Sequence, residues 1–453
     1  MKYFPQTPED IRAMLERIGV QNLDDLFAEI PEELKLKGEL QIPHAQTEME
    51  VRRTIGAMAA ENRPLCCFAG GGVYDRYVPS MVGYLCQRSE FSTSYTPYQA
   101  EISQGTLQYI FEYQTMMARL TGMDVSNASM YDGATATAEA MMMCVASAKG
   151  KRHRVVVSQT LFPEVLDVVR TYADYHGVTL CEVGPDTHGL TCREAINAAL
   201  AAADVAGVIV PLTNRYGLIE DLTGLADACH AAGALLAINS VASHLALLKS
   251  PGEWGADIAC GDAQSLGIDM GCGGPYIGYL CTTNALVRKM PGRLVGQTVD
   301  AAGNRCFVLT LQAREQHIRR EKATSNICTA QGIMCLHVAI YLALMGQAGL
   351  AETEQTSADG AHCLCQRLAA LPCFEQAFPE SAFLNEFTLC YTGCRPLADV
   401  MADMADRGFL AGIAGADGTM LTLAVTEQRT PDEVDALVKA FAEVCQAGCG
   451  TNQ

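Results

Sequence analysis

The spacing of hydrophobic and polar residues changes along the chain at about residue 80. Before this point, Thr7 and Pro8 precede apolar residues at helical spacing, which predicts a capped amphipathic helix. A second amphipathic run over residues 23–30 predicts another short helix. Neither run carries visible chemistry, so we expect residues 1–79 to form an N-terminal helical arm.

Short aliphatic runs alternate with amphipathic segments from residue 80 to residue 330. Such runs, rich in β-branched residues and without polar alternation, are typical of strands that are buried on both faces of a parallel sheet. We therefore expect a large α/β domain over 80–330, with a ligand crevice at the carboxyl ends of its strands. The predicted strands cover residues 154–158, 178–183, 205–210, 234–238, 256–260 and 276–281, and predicted helices cover 107–120, 163–176 and 193–203.

A smaller unit follows a helical stretch around residues 333–348. Its pattern predicts a strand near 387–391, a helix near 397–407, a strand near 420–425 and a capped helix that ends at about Cys445. We expect residues 331–453 to form a small α+β domain.

Composition excludes several classes of function. The chain has 453 residues, of which 49% are hydrophobic and 18% are charged, as in a globular protein. Its net charge of -19 argues against nucleic acid or an anionic membrane as a partner, because phosphates would repel it. The sequence starts without a basic and then apolar signal region, and we find no apolar run of roughly 18 residues, so we expect a cytoplasmic protein.

Twenty cysteines raise the question of a metal site or of disulfides. No CxxC pair occurs, and the spacings match no zinc pattern. We interpret most of the cysteines as small buried apolar residues in a reducing compartment, and we expect no metal site.

Four segments carry candidate chemistry, and each also has an ordinary structural explanation. Residues 131–137 put small and hydroxyl residues at the start of a helix, which suits an anion or a simple helix cap. Residues 95–105 (YTPYQAEISQG) concentrate phenols, amides, hydroxyls and a carboxylate, or form a solvated loop. The glycine run at 66–74 favours tight backbone packing. The charged run at 314–322 is typical of a solvated helix face, but the Thr-Ser-Asn that follows offers donors for a phosphate or carboxylate.

The glycine-rich loop GDAQSLGIDMGCGGP at residues 261–275 follows a buried strand and has the form of a cofactor loop. It contains no lysine, histidine or obvious nucleophile. The loop alone therefore does not assign a function.

Four long motifs, in this order, resemble the glycine cleavage system P-protein family, and specifically subunit 1 (the α chain) of its split bacterial form. The resemblance extends over nearly the whole chain and implies the fold of type-I pyridoxal-phosphate (PLP) transferases, as in aminotransferases. The motifs are YTPYQAEISQGTLQYIFEYQTMMARLTGM, NASMYDGATATAEA, GADIACGDAQSLGIDMGCGGP and REQHIRREKATSNICTAQ.

Gln264 occupies the position at which the resemblance implies the Schiff-base lysine. The catalytic β chain of the family has a His-Lys pair before a GGGGP run, and counting back from Pro275 puts the lysine at Gln264 and the histidine at Ala263. An amide nitrogen is not a nucleophile and cannot form a Schiff base. The family's Asp-Pro after the strand at 234–238 is also missing, with Val241 the expected equivalent, so we predict no catalytic residue in this chain alone.

The resemblance also implies a shared reaction. Together with a β chain in an α2β2 assembly, the protein would decarboxylate glycine on PLP and pass the aminomethyl group to the lipoyl arm of H-protein. PLP is expected on the β subunit and not covalently on this chain. We expect the following residues to contact the partner's substrate: Tyr95, Thr96, Tyr98, Glu101, Ser103 and Gln104. We expect the following residues near the cofactor phosphate: Gly133, Ala134, Thr135, Thr324, Ser325 and Asn326.

Two other interpretations stay open at this point. A self-sufficient PLP enzyme of the same fold would need a lysine in the loop, and between residues 152 and 321 only Lys249 and Lys289 occur, both outside it. A purely structural or regulatory pseudoenzyme would stabilise the β chain without contributing to its site. It would not need a polar loop such as YTPYQAEISQG.

Overall fold

The computed structural model describes residues 5–38, 40–92, 94–149, 151–271 and 273–446. It divides the chain into two compact units, Met1–Arg63 and Pro64–Gln453. The arm was predicted to end at residue 79, whereas residues 64–79 group with the second unit. The predicted division of the second unit at residue 330 stays a prediction.

The first unit contains two capped helices, α1 (Pro8–Ile18) and α2 (Glu48–Ala59). The predicted cap is confirmed, because the Thr7 hydroxyl accepts the Asp10 N–H while the Asp10 carboxylate accepts the Thr7 N–H. Residues 23–30 form only a short 3₁₀ turn at Asp24–Phe27 and not the predicted second helix.

The second unit is built on a seven-stranded sheet in the order β2-β8-β7-β6-β5-β3-β4. Strands β4, β3, β5, β6 and β7 are parallel, whereas β8 and β2 are antiparallel to their neighbours. The predicted mainly parallel α/β fold is therefore confirmed. The strands are β2 (Val125–Ser126), β3 (Arg154–Ser158), β4 (Thr179–Val183), β5 (Val205–Pro211), β6 (Leu235–Asn239), β7 (Ile258–Asp262) and β8 (Gly278–Thr282); β1 is described below.

Helices cover this sheet because the strands are apolar on both faces. Every residue of β5 is buried, as its unbroken aliphatic pattern predicts. The α-helices between residues 80 and 330 are α3 (Ser80–Cys86), α4 (Gln104–Thr121), α5 (Gly133–Ser147), α6 (Pro163–His176), α7 (Arg193–Leu200), α8 (Leu225–Ala231) and the short α9 (Gln316–Arg319). Three core clusters lie against this sheet: one is centred on α5, one on α4 and a later long helix, and one includes residues of α7 and α8.

Helix α10 (Gly332–Ala369) is 38 residues long and extends far beyond the predicted stretch at 333–348. Gly346 interrupts its helical geometry with a φ of 59°. The helix contains an 18-residue window with a mean hydropathy of 1.7, long and apolar enough to span a membrane, which the sequence analysis did not identify. In the fold this segment packs in the core beside α4, where Cys335, Val338 and Tyr341 are buried.

The carboxyl-terminal part of the second unit contains a four-stranded sheet in the order β11-β12-β15-β14. Strand β1 pairs in parallel with β13, which joins residues 66–67 to this part of the chain. The β9–β10 hairpin was not predicted. The remaining elements are β1 (Cys66–Cys67), β9 (Leu294–Val299), β10 (Arg305–Thr310), β11 (Phe374–Gln376), β12 (Glu386–Tyr391), α11 (Leu397–Asp406), β13 (Phe409–Leu410), β14 (Ile413–Ala414), β15 (Met420–Ala424) and α12 (Pro431–Gln446).

Candidate functional site: a filled crevice and an exposed polar loop

Gln264 lies just beyond the carboxyl end of β7, with 1% of its surface exposed. Its Oε1 accepts the Tyr74 N–H at 3.1 Å. Its Nε2 donates to the Tyr74 carbonyl at 3.1 Å and to the Ile268 carbonyl at 2.7 Å. All the hydrogen-bonding groups of this amide are thus engaged by backbone, and the side chain holds the segment around Tyr74 against the sheet.

Tyr74 fills the crevice that the sequence analysis expected at this edge of the sheet. Its side chain is 1% exposed and belongs to the core cluster that includes Phe162 and Val241. Its hydroxyl donates to Glu386 at 3.1 Å, and its ring lies 5.6 Å from that of His244. Buried side chains of Tyr74 and its neighbours therefore occupy the volume above the ends of β6 and β7.

Two carboxylates occupy the start of α5, where an anion site was predicted at Gly133, Ala134 and Thr135. Asp132 accepts the Thr135 N–H at 2.7 Å, and Asp262 accepts the Gly133 N–H at 3.2 Å. A Cβ atom on Gly133 would lie 2.7 Å from the Asp262 backbone nitrogen, so the two elements are in close contact. The Gly133 and Thr135 N–H groups at this helix end are already occupied by carboxyl groups, so they are not free for a phosphate.

These residues do not fit PLP, which needs a lysine, a seat for its phosphate and a carboxylate facing its pyridine nitrogen. Gln264 stands where the resemblance puts the lysine, and carboxyl groups occupy the N–H groups that were expected near the phosphate. At the end of β6, Asn239 donates its Nδ2 to the Thr137 hydroxyl at 2.8 Å, and Val241 is buried in the core. Neither side chain is an acid. No step of a PLP reaction is therefore derived from this crevice.

Burial raises the pKa of the Asp262 carboxyl from 3.8 to about 7, although the N–H groups of Gln264 and Gly133 oppose this shift. The folded protein holds this proton between about pH 4 and about pH 7, whereas the unfolded chain releases it. The contribution of Asp262 to the free energy of unfolding should therefore fall as the pH rises through this interval and should be constant above it.

We expect the free energy of unfolding of Asp262→Asn, measured in urea, to rise relative to that of wild type by a few kcal/mol between about pH 4 and about pH 7. The exposed Asp227, changed to Asn, is the matched control and should show no such trend. A pH-independent difference between Asp262→Asn and wild type would contradict this assignment.

Residues 95–104, called here the 95–104 loop, include both exposed and buried side chains. Tyr95 is 93% exposed, Tyr98 is 54% exposed, Glu101 is exposed, and Thr96 is half-buried. Ser103, in contrast, is only 4% exposed. The predicted substrate-contacting set is thus divided, and its first four members are the ones accessible to a partner.

Gln104 anchors the loop to the β9–β10 hairpin. Its side-chain amide donates to the Phe307 carbonyl at 2.9 Å and accepts the Phe307 N–H at 2.8 Å. These two hydrogen bonds pair the Gln104 amide with the Phe307 backbone as a residue of an adjacent β-strand would. Gln104 therefore orients the loop from beneath.

Thr324, Ser325 and Asn326 line an open cleft of about 690 Å³ against α5 and α6. Its floor includes Glu139, a buried acid on α5 whose pKa burial raises to about 7, against an opposing hydrogen bond from Ser325. These three residues therefore face the flank of α5, one to two turns beyond Gly133. The cleft is polar and open, and nothing in it identifies a phosphate.

Two further residues organise this region: Tyr131, which begins the segment 131–137, and Arg293, which the sequence did not indicate. The Tyr131 hydroxyl accepts the N–H groups of Cys328 and Thr329 at 3.2 and 3.3 Å. The Arg293 guanidinium donates to the Tyr98 hydroxyl at 2.9 Å and to the Cys328 carbonyl at 2.8 Å. A single arginine after Pro-Gly gives no sequence signal, because its partners are distant in the chain.

The described residues contain no group of three or more His, Cys, Asp or Glu side chains that could hold a metal ion.

Comparison with solved structures places the fold among PLP-dependent type-I enzymes. The structure superposes on a sphingosine-1-phosphate lyase of Burkholderia pseudomallei with a TM-score of 0.66 over 92% of this chain and 94% of that chain, at 12% identity. It superposes on an alanine–glyoxylate aminotransferase of Nostoc sp. with a TM-score of 0.60 over 85% of this chain and 96% of that chain, at 16% identity. Identities this low establish the fold and nothing more.

The family follows from the closer relatives. The chain belongs to the glycine cleavage system P-protein family, whose sequence model matches residues 1–441. It is 46% identical, over 97% of its length and 99% of the relative's, to a probable glycine dehydrogenase (decarboxylating) subunit 1 of Moorella thermoacetica. A Geobacillus protein of the same name is 44% identical over 98% of this chain and 99% of its own length. The crystal structure of a P-protein in inhibitor-bound form matches with a TM-score of 0.89 and 42% identity over 98% of this chain and 100% of that chain.

Proposed function

We propose that this chain is the non-lysine subunit of a split glycine dehydrogenase and completes the active site of a lysine-bearing second subunit. The assembled enzyme decarboxylates glycine on PLP, carried by the second subunit, and transfers the aminomethyl group to the lipoyl arm of H-protein. The observation that carries the proposal is the amide of Gln264, fully bonded inside a crevice that Tyr74 fills. A chain built this way is inactive alone.

The 95–104 loop supports a contribution to a partner's site. Its Tyr95 and Glu101 side chains extend into solvent, while Gln104 fixes the backbone beneath them. Exposed phenol and carboxylate groups on an anchored loop are suited to hydrogen-bonding a ligand held by another chain. We further propose an α2β2 assembly in the cytoplasm, since a two-fold arrangement would pair each filled crevice with a functional one.

We expect Tyr95→Phe and Glu101→Gln each to lower bicarbonate exchange into glycine about tenfold or more, because each removes a hydrogen-bonding group from the shared site. The assay contains this chain, its second subunit, PLP and lipoylated H-protein. Tyr84→Phe and Glu112→Gln are the matched controls, exposed residues outside the loop. They should leave the rate unchanged.

Gel filtration of each variant with the second subunit shows whether the complex still assembles. This measurement separates a role in the shared site from a purely structural role. Unchanged rates in both loop variants, with the complex intact, would contradict the shared site and favour a purely structural subunit. Activity of this chain without the second subunit would contradict the proposal as a whole.

A further inference from the structure

Arg293 is a buried cation without a carboxylate partner. The residue is 6% exposed, and none of the described residues places an acidic oxygen within 4 Å of its guanidinium. Its Nη2 donates to the Tyr98 hydroxyl and the Cys328 carbonyl, both neutral. Its buried Nε–H has no acceptor among the described residues. An orphaned donor on a buried charge is costly, so such an arrangement is typical of a site that receives an anion.

A small pocket of about 50 Å³ has Arg293 in its lining. Arg293 is the charged residue among the described residues that line it, and none of these is acidic. Thr96, Thr106 and Thr329 add hydroxyl groups to the lining. The volume suits a carboxylate group or a few water molecules, and it is too small for a cofactor ring with its phosphate.

The pocket lies beneath the 95–104 loop. Tyr95 and Pro97 form part of its lining, and the Arg293 guanidinium lies 5.2 Å from the centre of the Tyr98 ring. In a neighbouring segment, a Glu315 oxygen lies 3.6 Å from Nδ1 of His317, whose ring packs edge-on against that of Tyr98. Arg293 is therefore held by neutral hydrogen-bond acceptors and an aromatic ring, and no carboxylate among the described residues balances its charge.

We propose that this pocket binds a small carboxylate, with Arg293 as the residue that recognises it. A guanidinium forms charge-assisted hydrogen bonds with a planar carboxylate, and the threonine hydroxyls can donate to the second oxygen. The same chemistry fits the carboxylate of a small amino acid and bicarbonate. The choice between these two sources rests on the proposed function, in which glycine is the substrate and carbon dioxide leaves from the neighbouring site.

The binding test uses the full chain alone and is independent of the proposed function. Acetate is titrated into ¹⁵N-labelled protein, and the Arg293 Nε–H signal, identified by its absence in Arg293→Lys, is followed. We expect that signal to shift with saturation, and calorimetry to show acetate binding about tenfold or more weaker in Arg293→Met. Arg305→Met, which removes an exposed arginine from β10, should bind as wild type does. An unshifted Nε–H signal, or equal affinity in Arg293→Met, would overturn the proposal.

The source of the carboxylate is tested by repeating the titration with glycine and with bicarbonate on the assembled complex. If glycine is the ligand, Arg293→Lys raises the KM for glycine about tenfold and leaves the dependence on bicarbonate unchanged; the reverse pattern assigns the site to bicarbonate. Acetate binding by the isolated chain without either effect in the complex would retain the site and contradict its role in the shared reaction. If the Tyr95 and Glu101 variants lose activity but the isolated chain does not bind acetate, the proposed function would be retained and the carboxylate site would be contradicted.

Discussion

Gln264→Lys is expected to destabilise the second unit by about 3 kcal/mol or more, and not to create a PLP enzyme. Lysine only donates hydrogen bonds, so the Tyr74 N–H would lose its acceptor inside the core. The ammonium group would also enter a site from which Tyr74 and its neighbours exclude water. Denaturant unfolding measures the loss of stability. Incubation with PLP followed by borohydride and peptide mapping tests for attachment at residue 264.

Gln264→Met is the matched variant, since it removes the same amide without adding charge. It should lose less stability than Gln264→Lys, and the difference isolates the cost of the buried ammonium. A Gln264→Lys protein as stable as wild type, with PLP reduced onto residue 264, would mean that the crevice still accepts the cofactor. The acidic start of α5, with Asp132 and Asp262 on its first N–H groups, argues against that outcome.

The parallel sheet could be predicted from sequence because its strands are defined locally. An unbroken aliphatic run such as 205–210 has few structures open to it other than a strand buried on both faces. The sequence also allowed Gln264 to be compared with the family's lysine, since this comparison needs only counting within one glycine-rich loop. Hairpin β9–β10 was missed because its residues lack a clear alternation of polar and apolar positions, and half of β9 is exposed.

The filled crevice could not be predicted, because it is made by contacts between distant residues. Tyr74 and Gln264 are 190 positions apart, and Tyr74 and Glu386 are 312 apart. The glycine run before Tyr74 indicated close packing but not its partner. For the same reason Arg293 gave no signal, although it lies under the loop that the sequence identified. Motifs indicated a candidate site, while the side chains that fill and surround it were set by tertiary packing.

Arg76→Met should cost about 3–5 kcal/mol of the free energy of unfolding, because it leaves buried carboxylates without their counterion. The Arg76 Nη2 lies 2.6 Å from Glu354, and both side chains are 1% exposed. Its Nη1 lies 2.8 Å from Glu427 and also donates to Ser357. Urea unfolding followed by circular dichroism measures the loss, and adding Glu354→Gln should recover part of it, since the neutral amide needs no cation.

Arg407→Met is the matched control, since Arg407 pairs with Glu443 at 2.6 Å but both side chains are more than 40% exposed. Its effect should stay below about 1 kcal/mol. Equal losses in the two arginine variants would contradict the role given to burial. Arg76 is two residues from Tyr74, so its pairing with α10 and Glu427 also holds Tyr74 in the crevice. A loss confined to Arg76→Met would therefore mean that the buried ion pairs with Glu354 and Glu427 stabilise the segment that carries Tyr74.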